Sequence, residues 1–231
     1  LKNLFNVFNG LDFNTSLDLM SGTGVVSYLL KAMGKSVHSN DYMNMNYSYS
    51  RALIENQTTK LNSSDLKMIL KLNQKSTFVQ SKFKGLYFSD HDNKDIDTIL
   101  NNIELIKNPT KKYLATSALI RSCIKKRPRG IFAYTGMKYL DGRKDLTMSI
   151  KEHFEQNVIL FNNAIFDSKT ECKAFNSDFS KMTNKYDLVY IDPPYFSPLS
   201  DNQYVRRYHF VEGLSLNWKN IKIQEETKTK K

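Results

Sequence analysis

Asp187-Leu188-Val189-Tyr190-Ile191-Asp192-Pro193-Pro194-Tyr195 is the stretch that decides the fold of this chain. A short β-prone apolar run leads into an acid, two prolines and an aromatic ring. The run predicts a buried strand in a sheet that is covered on both faces. Neither a helix nor a ladder continues through the prolines, because each lacks an N–H and has a fixed φ. We therefore expect Asp192 at the carboxyl end of a strand, where open α/β sheets bind their ligands.

A second strand-and-turn pattern lies near the start of the chain. Residues 16–24 read Ser-Leu-Asp-Leu-Met-Ser-Gly-Thr-Gly and predict a strand and a glycine turn, and a helix follows over 25–34. Gly22 and Gly24 would let the backbone approach a ligand closely. The next predicted strand, 36–40, ends in Asp41, about 20 residues beyond the turn, where a carboxylate binds ribose hydroxyls in dinucleotide folds. A solvated acid or a helix N-cap is the alternative role for Asp41.

The composition predicts a globular protein with a polyanionic partner. The 231 residues are 40% hydrophobic, which supports a proper core, and the formal net charge of +11 favours a polyanionic partner. The two cysteines are far apart and have no metal-ligand spacing, so we expect no metal and no disulfide framework, as in a reducing cytoplasm. Since no apolar run approaches ~20 residues, we expect no membrane partner.

The α/β alternation lapses between the second strand and about residue 166. Helical spacing appears in this region over 45–55, 64–72, 95–106 and 110–126, and a helix over 150–161 then leads back to a strand at 172–175. A region of this size is too long for a connection inside a compact sheet. We therefore expect a mostly helical subdomain, 43–166, inserted into an α/β domain formed by 1–42 and 167–231.

The insert contains a basic segment, 107–129, without any acid. Basic side chains supply affinity for phosphate, and nearby aromatic rings can stack on bases. Two further arginines follow the Asp-Pro-Pro-Tyr stretch. The candidate DNA-binding residues are Lys111, Lys112, Arg121, Lys125, Lys126, Arg127, Arg129, Arg206 and Arg207. A solvated helix face is the alternative for each of them.

These motifs together resemble those of the S-adenosylmethionine-dependent DNA adenine-N6 methyltransferases. Asp192-Pro193-Pro194-Tyr195 is similar to the catalytic motif of that family. Residues Asp18 to Gly24 are similar to its first cofactor motif, with Met20 where the pattern has phenylalanine. Asp178, followed by Phe179, matches by position an acid that accepts a hydrogen bond from the cofactor adenine. Its alternative role is the N-cap of a short turn.

The resemblance implies a Rossmann-like class I methyltransferase sheet, and the helical insert lies where the alpha class carries its target-recognition domain. It also implies S-adenosyl-L-methionine as cofactor, double-stranded DNA as partner, and a bacterial cytoplasmic protein that associates with the nucleoid and belongs to a restriction-modification system. The residues implied in cofactor binding are Asp18, Met20, Ser21, Gly22, Thr23, Gly24, Asp41, Asp178 and Phe179.

The implied catalytic residues are Asp192, Pro193, Pro194 and Tyr195. The adenine amine is a poor nucleophile because its lone pair is delocalised into the ring. The Asp192 carboxylate and the Pro193 carbonyl would hold the two amino hydrogens, with the prolines fixing that carbonyl rigidly. Tyr195 would stack on the flipped base, and the loop after it would close over the base.

Two features of the family are missing from the sequence. We find no upstream glycine- and lysine-containing motif, and few residues follow Tyr195, so we expect a chain truncated at both ends or completed by a partner chain. Methylation of RNA or of a protein glutamine, and an inactive DNA-binding remnant, remain alternatives. A nucleotide-dependent oxidoreductase is disfavoured by the incomplete glycine fingerprint. The roles of His209 and of the stretch 204–214 are left open.

Overall fold

A computed structural model of the protein describes residues 1–133, 142–195, 204–227 and 229–230. The chain divides into two compact units, one formed by Leu1–Thr59 with Ala164–Tyr195 and the other by Lys60–Asn163 with Phe196–Lys231. The strands are β1 (Thr15–Asp18), β2 (Ser36–Asn40), β3 (Cys172–Phe175) and β4 (Leu188–Tyr190). The α-helices are α1 (Lys2–Asn9), α2 (Val25–Ala32), α3 (Asn44–Ser50), α4 (Ser63–Leu70), α5 (Phe78–Lys82), α6 (Asp90–Ile103), α7 (Pro109–Lys125), α8 (Lys144–Thr147), α9 (Ile150–Ala164) and α10 (Tyr204–Ser215).

The first unit is built on a parallel sheet with strand order β3-β2-β1-β4. Asp18, the last residue of β1, lies in register with Ser39 of β2 and Tyr190 of β4. Buried apolar side chains from α1, α2 and β2, among them Phe8, Leu30 and Val37, form its core. The α/β fold class and the Rossmann-like arrangement predicted from the sequence are thus confirmed.

Strand β4 differs from its prediction as a strand buried on both faces. Leu188 and Tyr190 are half-buried, and Val189 is 44% exposed. The reason is the position of β4, which pairs with β1 along one side and is an edge strand of the sheet in the described part of the chain. The start of β4 is fixed by Asp187, whose carboxylate accepts hydrogen bonds from the N–H groups of Asn14 and Thr15.

The second unit is helical, and its helices begin where polar side chains cap them. Asn62 and Asp65 form a reciprocal capping box at the start of α4. Asn108 accepts a hydrogen bond from the Lys111 N–H at the start of α7, and Pro109 occupies its first position. Both helices begin one residue before the bounds, 64 and 110, that the helical spacing predicts. No helix in the described ranges has the length and apolar character needed to cross a membrane.

An aromatic cluster joins α10 to the rest of the second unit. The Phe210 ring stacks on Phe132 with centroids 4.9 Å apart and contacts Phe83 edge-on at the same distance. Tyr87, Phe88 and Trp218 belong to the same cluster. The segment 196–231 therefore forms one compact unit with the helical region, whereas the sequence-based division assigned it to the sheet domain. The assignment of the helical region to DNA recognition stays a prediction.

Candidate active site

Hydrogen bonds join the segments that follow the strands at the carboxyl edge of the sheet. The Leu19 N–H donates to the carbonyl oxygen of Tyr190 at 3.0 Å, and the Ser21 N–H donates to that of Asn40 at 2.9 Å. The Asn40 side-chain amide donates to the carbonyls of Leu19 and Ser177 at 3.0 and 3.1 Å. The glycine turn, the end of β2 and the segment after β3 are therefore held together at one edge.

The glycine turn has the backbone conformation that its sequence predicts. Gly22 and Gly24 have φ values of +53° and +78°, a region that favours glycine. A Cβ built on Gly22 would meet no atom within 4 Å, so open space lies in front of this residue. Gly24 is the N-cap of α2. The turn thus exposes backbone to open space directly before a helix N-terminus.

Asp41 lies against this turn, as the spacing predicts. Its Oδ2 accepts a hydrogen bond from the Gly22 N–H at 2.9 Å, and its Oδ1 accepts one from the Met43 N–H at 2.8 Å. Burial raises the pKa of the Asp41 carboxyl, while these hydrogen bonds oppose that rise. The Asp41 carboxylate therefore stabilises the backbone just before α3, a role close to the helix N-cap that was its alternative prediction. It also binds the glycine turn through the Gly22 N–H.

Asp18 is buried behind the turn and bonded to the first turn of α2. Its Oδ2 accepts hydrogen bonds from the Ser27 N–H at 3.0 Å and the Ser27 hydroxyl at 2.7 Å. Burial raises the pKa of Asp18 to about 6, and the negative charges of Asp41 and Asp192 add to the rise. Asp18, Asp41 and Asp192 therefore share one electrostatic environment. The sequence analysis did not single out Ser27.

The residues of the turn offer polar atoms that suit a nucleoside-containing cofactor. Ser21 Oγ is buried and has no hydrogen-bond partner among the described residues. An orphaned buried hydroxyl of this kind calls for a partner. Met20 is half-buried beside it, and Thr23 is exposed. The open space at Gly22, the Ser21 hydroxyl and the Asp41 carboxylate are together compatible with a ligand that carries hydroxyl groups.

The Asp-Pro-Pro-Tyr residues follow β4 and face solvent. Asp192, Pro193 and Pro194 are exposed, and Tyr195 is 91% exposed. Asp192 makes no hydrogen bond or ion pair with any residue that the structure describes, so its carboxylate is available to a ligand. The loop predicted to close over the base, 196–203, lies outside the described residues.

Asp178 follows β3 and caps a short 3-10 helix. Its Oδ1 accepts hydrogen bonds from the N–H and hydroxyl of Ser180 at 2.9 and 2.7 Å, which lower the pKa of Asp178. Asp178 therefore has the N-cap geometry that was its alternative prediction. Phe179, next to it, is 55% exposed. A role in binding the cofactor adenine stays a prediction for both residues.

Three of the predicted DNA-binding lysines are paired with acids inside the second unit. Lys111 Nζ lies 2.6 Å from Asp65, Lys112 Nζ lies 3.2 Å from Glu104, and Lys125 Nζ lies 3.3 Å from Asp145. These acids precede or follow the basic segment, so a count of acids within 107–129 could not reveal them. A phosphate that bound one of these lysines would have to compete with its carboxylate.

Lys126 and Arg127 are buried, which corrects their selection as phosphate-binding residues. The Lys126 ammonium lies 3.3 Å from Asp92 and donates to the carbonyl oxygen of Met148. Arg127 donates from Nη1 to the Tyr87 carbonyl oxygen at 3.0 Å, and its guanidinium lies over the Tyr87 and Phe132 rings. Both side chains are less than 10% exposed. They stabilise the helical unit and are not available at its surface.

The other basic candidates are more accessible. Arg121, Arg129 and Arg206 are exposed, whereas Arg207 is half-buried. Arg129 has φ +61° in the short 3-10 helix Pro128–Gly130, and the Arg207 carbonyl accepts a hydrogen bond from the Phe132 N–H at 2.8 Å. These four arginines stay predicted contacts for nucleic acid.

His209 has structural contacts inside the second unit. Its Nε2 lies 3.0 Å from the Tyr87 hydroxyl, and its Nδ1 lies 2.9 Å from the Arg206 carbonyl oxygen.

Within the described residues one group has metal-ligand geometry, His91, Asp92 and Asp95, with ligand atoms within 4.8 Å of one another. Its central carboxylate, Asp92, is already bound by the Lys126 ammonium.

The chain is similar over most of its length to two type II methyltransferases and a modification methylase. Type II methyltransferase M2.HphI of Haemophilus parahaemolyticus is 29% identical over 88% of this chain and 64% of its own length. Modification methylase StsI of Streptococcus sanguinis is 28% identical over 93% of this chain and 36% of its own. Type II methyltransferase M.NlaIII of Neisseria lactamica is 25% identical over 86% and 60%, respectively. The chain thus spans less than two thirds of each of these relatives.

No solved structure matches the chain significantly. A model of the family described as D12 class N6 adenine-specific DNA methyltransferase matches residues 1–228. This match includes the glycine turn, Asp41 and the Asp-Pro-Pro-Tyr residues that the sheet brings to one edge. The chain therefore belongs to the D12 class of N6 adenine-specific DNA methyltransferases.

Proposed function

We propose that this chain transfers a methyl group from S-adenosyl-L-methionine to N6 of an adenine in double-stranded DNA, within a restriction-modification system. The observation that carries the proposal is the pairing of β1 with β4, in which Asp18 lies in register with Tyr190. Because both strands end at this edge, the glycine turn after β1 and Asp192 after β4 lie at the same edge of the sheet. The family match and the names of the relatives support the choice of DNA and adenine.

The residues around the glycine turn would hold the cofactor. Gly22 offers open space, Ser21 offers an unpartnered hydroxyl, and Asp41 would accept a hydrogen bond from a ribose hydroxyl. Asp178 and Phe179 would bind the adenine of the cofactor, using the Asp178 Oδ2 that the Ser180 cap leaves free. S-adenosyl-L-methionine, when bound there, supplies an electrophilic methyl group.

Asp192 and Pro193 would prepare the target amine. The Asp192 carboxylate and the Pro193 carbonyl oxygen accept its two hydrogens and favour a tetrahedral nitrogen whose lone pair is free to attack. The nitrogen would then take up the methyl group that the cofactor supplies, and the amino proton that it loses would pass through the exposed Asp192 carboxylate to solvent. The rigid backbone of Pro193 and Pro194 keeps both acceptors in place, which is the preorganisation that electrostatic catalysis requires.

Tyr195 would hold the base outside the helix. Its ring is 91% exposed and follows the acceptors directly in the chain. Extruding a base costs a few kcal/mol, and stacking on an aromatic ring returns about 1–3 kcal/mol per base. The exposed arginines, Arg121, Arg129 and Arg206, would add affinity for phosphate and, in the cell, association with the nucleoid.

Transfer of tritiated methyl groups to three acceptors tests the proposal. The chain is incubated with labelled S-adenosyl-L-methionine and duplex DNA, RNA or protein, and the labelled product is digested and identified. We expect label in N6-methyladenine from DNA. Label in RNA or glutamine alone would overturn the choice of substrate. DNA binding without any label, and without binding of S-adenosylhomocysteine in calorimetry, would identify an inactive DNA-binding remnant.

A further inference from the structure

A basic groove of the second unit is lined by residues outside the basic segment 107–129. It is formed between α4 and α9 and has a volume of about 560 Å³. Lys67 and Lys71 line it from α4 and its C-cap, and Lys151 and Glu155 line it from α9. Leu66 and Leu70 form an apolar part of its wall. Three of its four charged residues are therefore cations.

The three lysines of the groove are exposed and unpaired. No carboxylate of the described residues lies within ion-pair distance of Lys67, Lys71 or Lys151. Even Lys151 and Glu155, one turn apart on α9, form no ion pair. The predicted DNA-binding lysines, by contrast, are held by Asp65, Glu104, Asp145 or Asp92. The groove thus presents three ammonium groups without an ion-pair partner among the described residues, although Glu155 lines it and Lys151 interacts electrostatically with Asp95.

The placement of these lysines suits a row of phosphates. Lys67 and Lys71 are four residues apart, so they lie on the same side of α4, about one turn or 6 Å from each other. Each strand of duplex DNA carries one phosphate per about 3.4 Å of helix axis, so two lysines about 6 Å apart would meet phosphates one or two positions apart. Lys151 lies in the first turn of α9, where the helix dipole also favours an anion. The leucines allow the aliphatic stems of the lysines to rest on apolar surface.

We propose that the groove between α4 and α9 binds the phosphate backbone of duplex DNA through Lys67, Lys71 and Lys151. This inference rests on the proposed function, because it assigns part of the DNA contact surface of the same enzyme. The lysines contribute affinity without reading sequence, because phosphates carry no base information. The groove adds phosphate contacts to those of the exposed arginines Arg121 and Arg129, whereas Lys126 and Arg127 are buried.

A charge-matched pair of triple variants tests the groove. One variant carries Lys67→Gln, Lys71→Gln and Lys151→Gln. The control carries the same three substitutions at the lysines that are paired with acids, Lys111, Lys112 and Lys125, so both variants lose three positive charges. Affinity for a short DNA duplex is measured by fluorescence anisotropy between 50 and 400 mM salt, and circular dichroism verifies that both variants keep their helical content.

The slope of log affinity against log salt decides the outcome. We expect the groove variant to lose about 0.9 from the slope for each missing phosphate contact, or about 2.7 in all, and the control to lose less than about 1. Equal slopes for the wild type and the groove variant, or an equal loss of slope in both variants, would overturn the proposal that the groove binds DNA. A wild-type chain that binds no DNA at any salt would overturn the proposed function itself, which is a different result.

Discussion

Asp18→Asn is expected to stabilise the protein at neutral pH and to reduce the pH dependence of its stability. Asp18 is 1% exposed, and burial raises its pKa from 3.8 to about 6. Between these values the folded protein binds more protons than the unfolded chain. Its free energy of unfolding therefore falls as the pH rises through this window, and the loss is complete above pH 6.

The size of the effect follows from the shift. One pKa unit corresponds to 1.36 kcal/mol, so a rise from 3.8 to about 6 corresponds to about 3 kcal/mol. Asparagine stays neutral, and its side-chain oxygen can still accept the two hydrogen bonds from Ser27. We expect the variant to match the wild type near pH 4 and to exceed its free energy of unfolding by about 3 kcal/mol at pH 7.

Urea denaturation followed by far-UV circular dichroism between pH 4 and 7 measures this difference. Asp187→Asn is the matched control in the same sheet, with the opposite sign. Hydrogen bonds from Thr15 and Asn14 lower the pKa of Asp187 below its usual 3.8, so its stabilisation persists across the measured range and Asp187→Asn should be less stable than the wild type throughout it. An Asp18→Asn variant less stable than the wild type at pH 7 would refute the reasoning.

Three further substitutions test other parts of the structure. Arg127→Ala removes two hydrogen bonds from a buried guanidinium and should lower the free energy of unfolding in urea by about 3 kcal/mol. The salt dependence of DNA binding should stay unchanged. Normal stability together with a weaker salt dependence would instead show that Arg127 binds phosphate at the surface. Gly213→Ala places a Cβ against the Trp218 indole and should cost about 1–3 kcal/mol, which an unchanged melting temperature and tryptophan emission would contradict. Tyr195→Ala should lower kcat/KM for methylation by about 10- to 100-fold, with Tyr195→Phe near wild type, because stacking needs only the ring; equal losses in both variants would implicate the hydroxyl instead.

The elements that local patterns specify are those that the sequence predicts well. Strand β3 has the predicted bounds, and β1, the glycine turn, α2 and β2 follow in the predicted order. This region is predictable because a turn at positive φ favours glycine, and because the acid that ends the next strand binds that turn. The same holds for Asn108 and Pro109 at the start of α7.

Features that depend on distant partners could not be predicted. The burial of Lys126 requires Asp92, 34 positions earlier in the chain, and that of Arg127 requires the Tyr87 carbonyl, at a sequence separation of 40 residues. Neither partner is visible in a basic run read by itself. Likewise, the exposure of β4 depends on which strands pair beside it, and the apolar run alone does not indicate how many neighbours the strand has.

The central claim is that Asp192 prepares the adenine amine at a site that also holds the cofactor, and Asp192→Ala tests it most directly. Calorimetry with S-adenosylhomocysteine measures cofactor binding, and single-turnover methylation of duplex DNA measures N6-methyladenine formation by the same preparation. We predict cofactor affinity within about twofold of the wild type and a loss of product of at least about 100-fold, as for removal of one group that stabilises a transition state. Wild-type rates of product formation in the variant would contradict the claim.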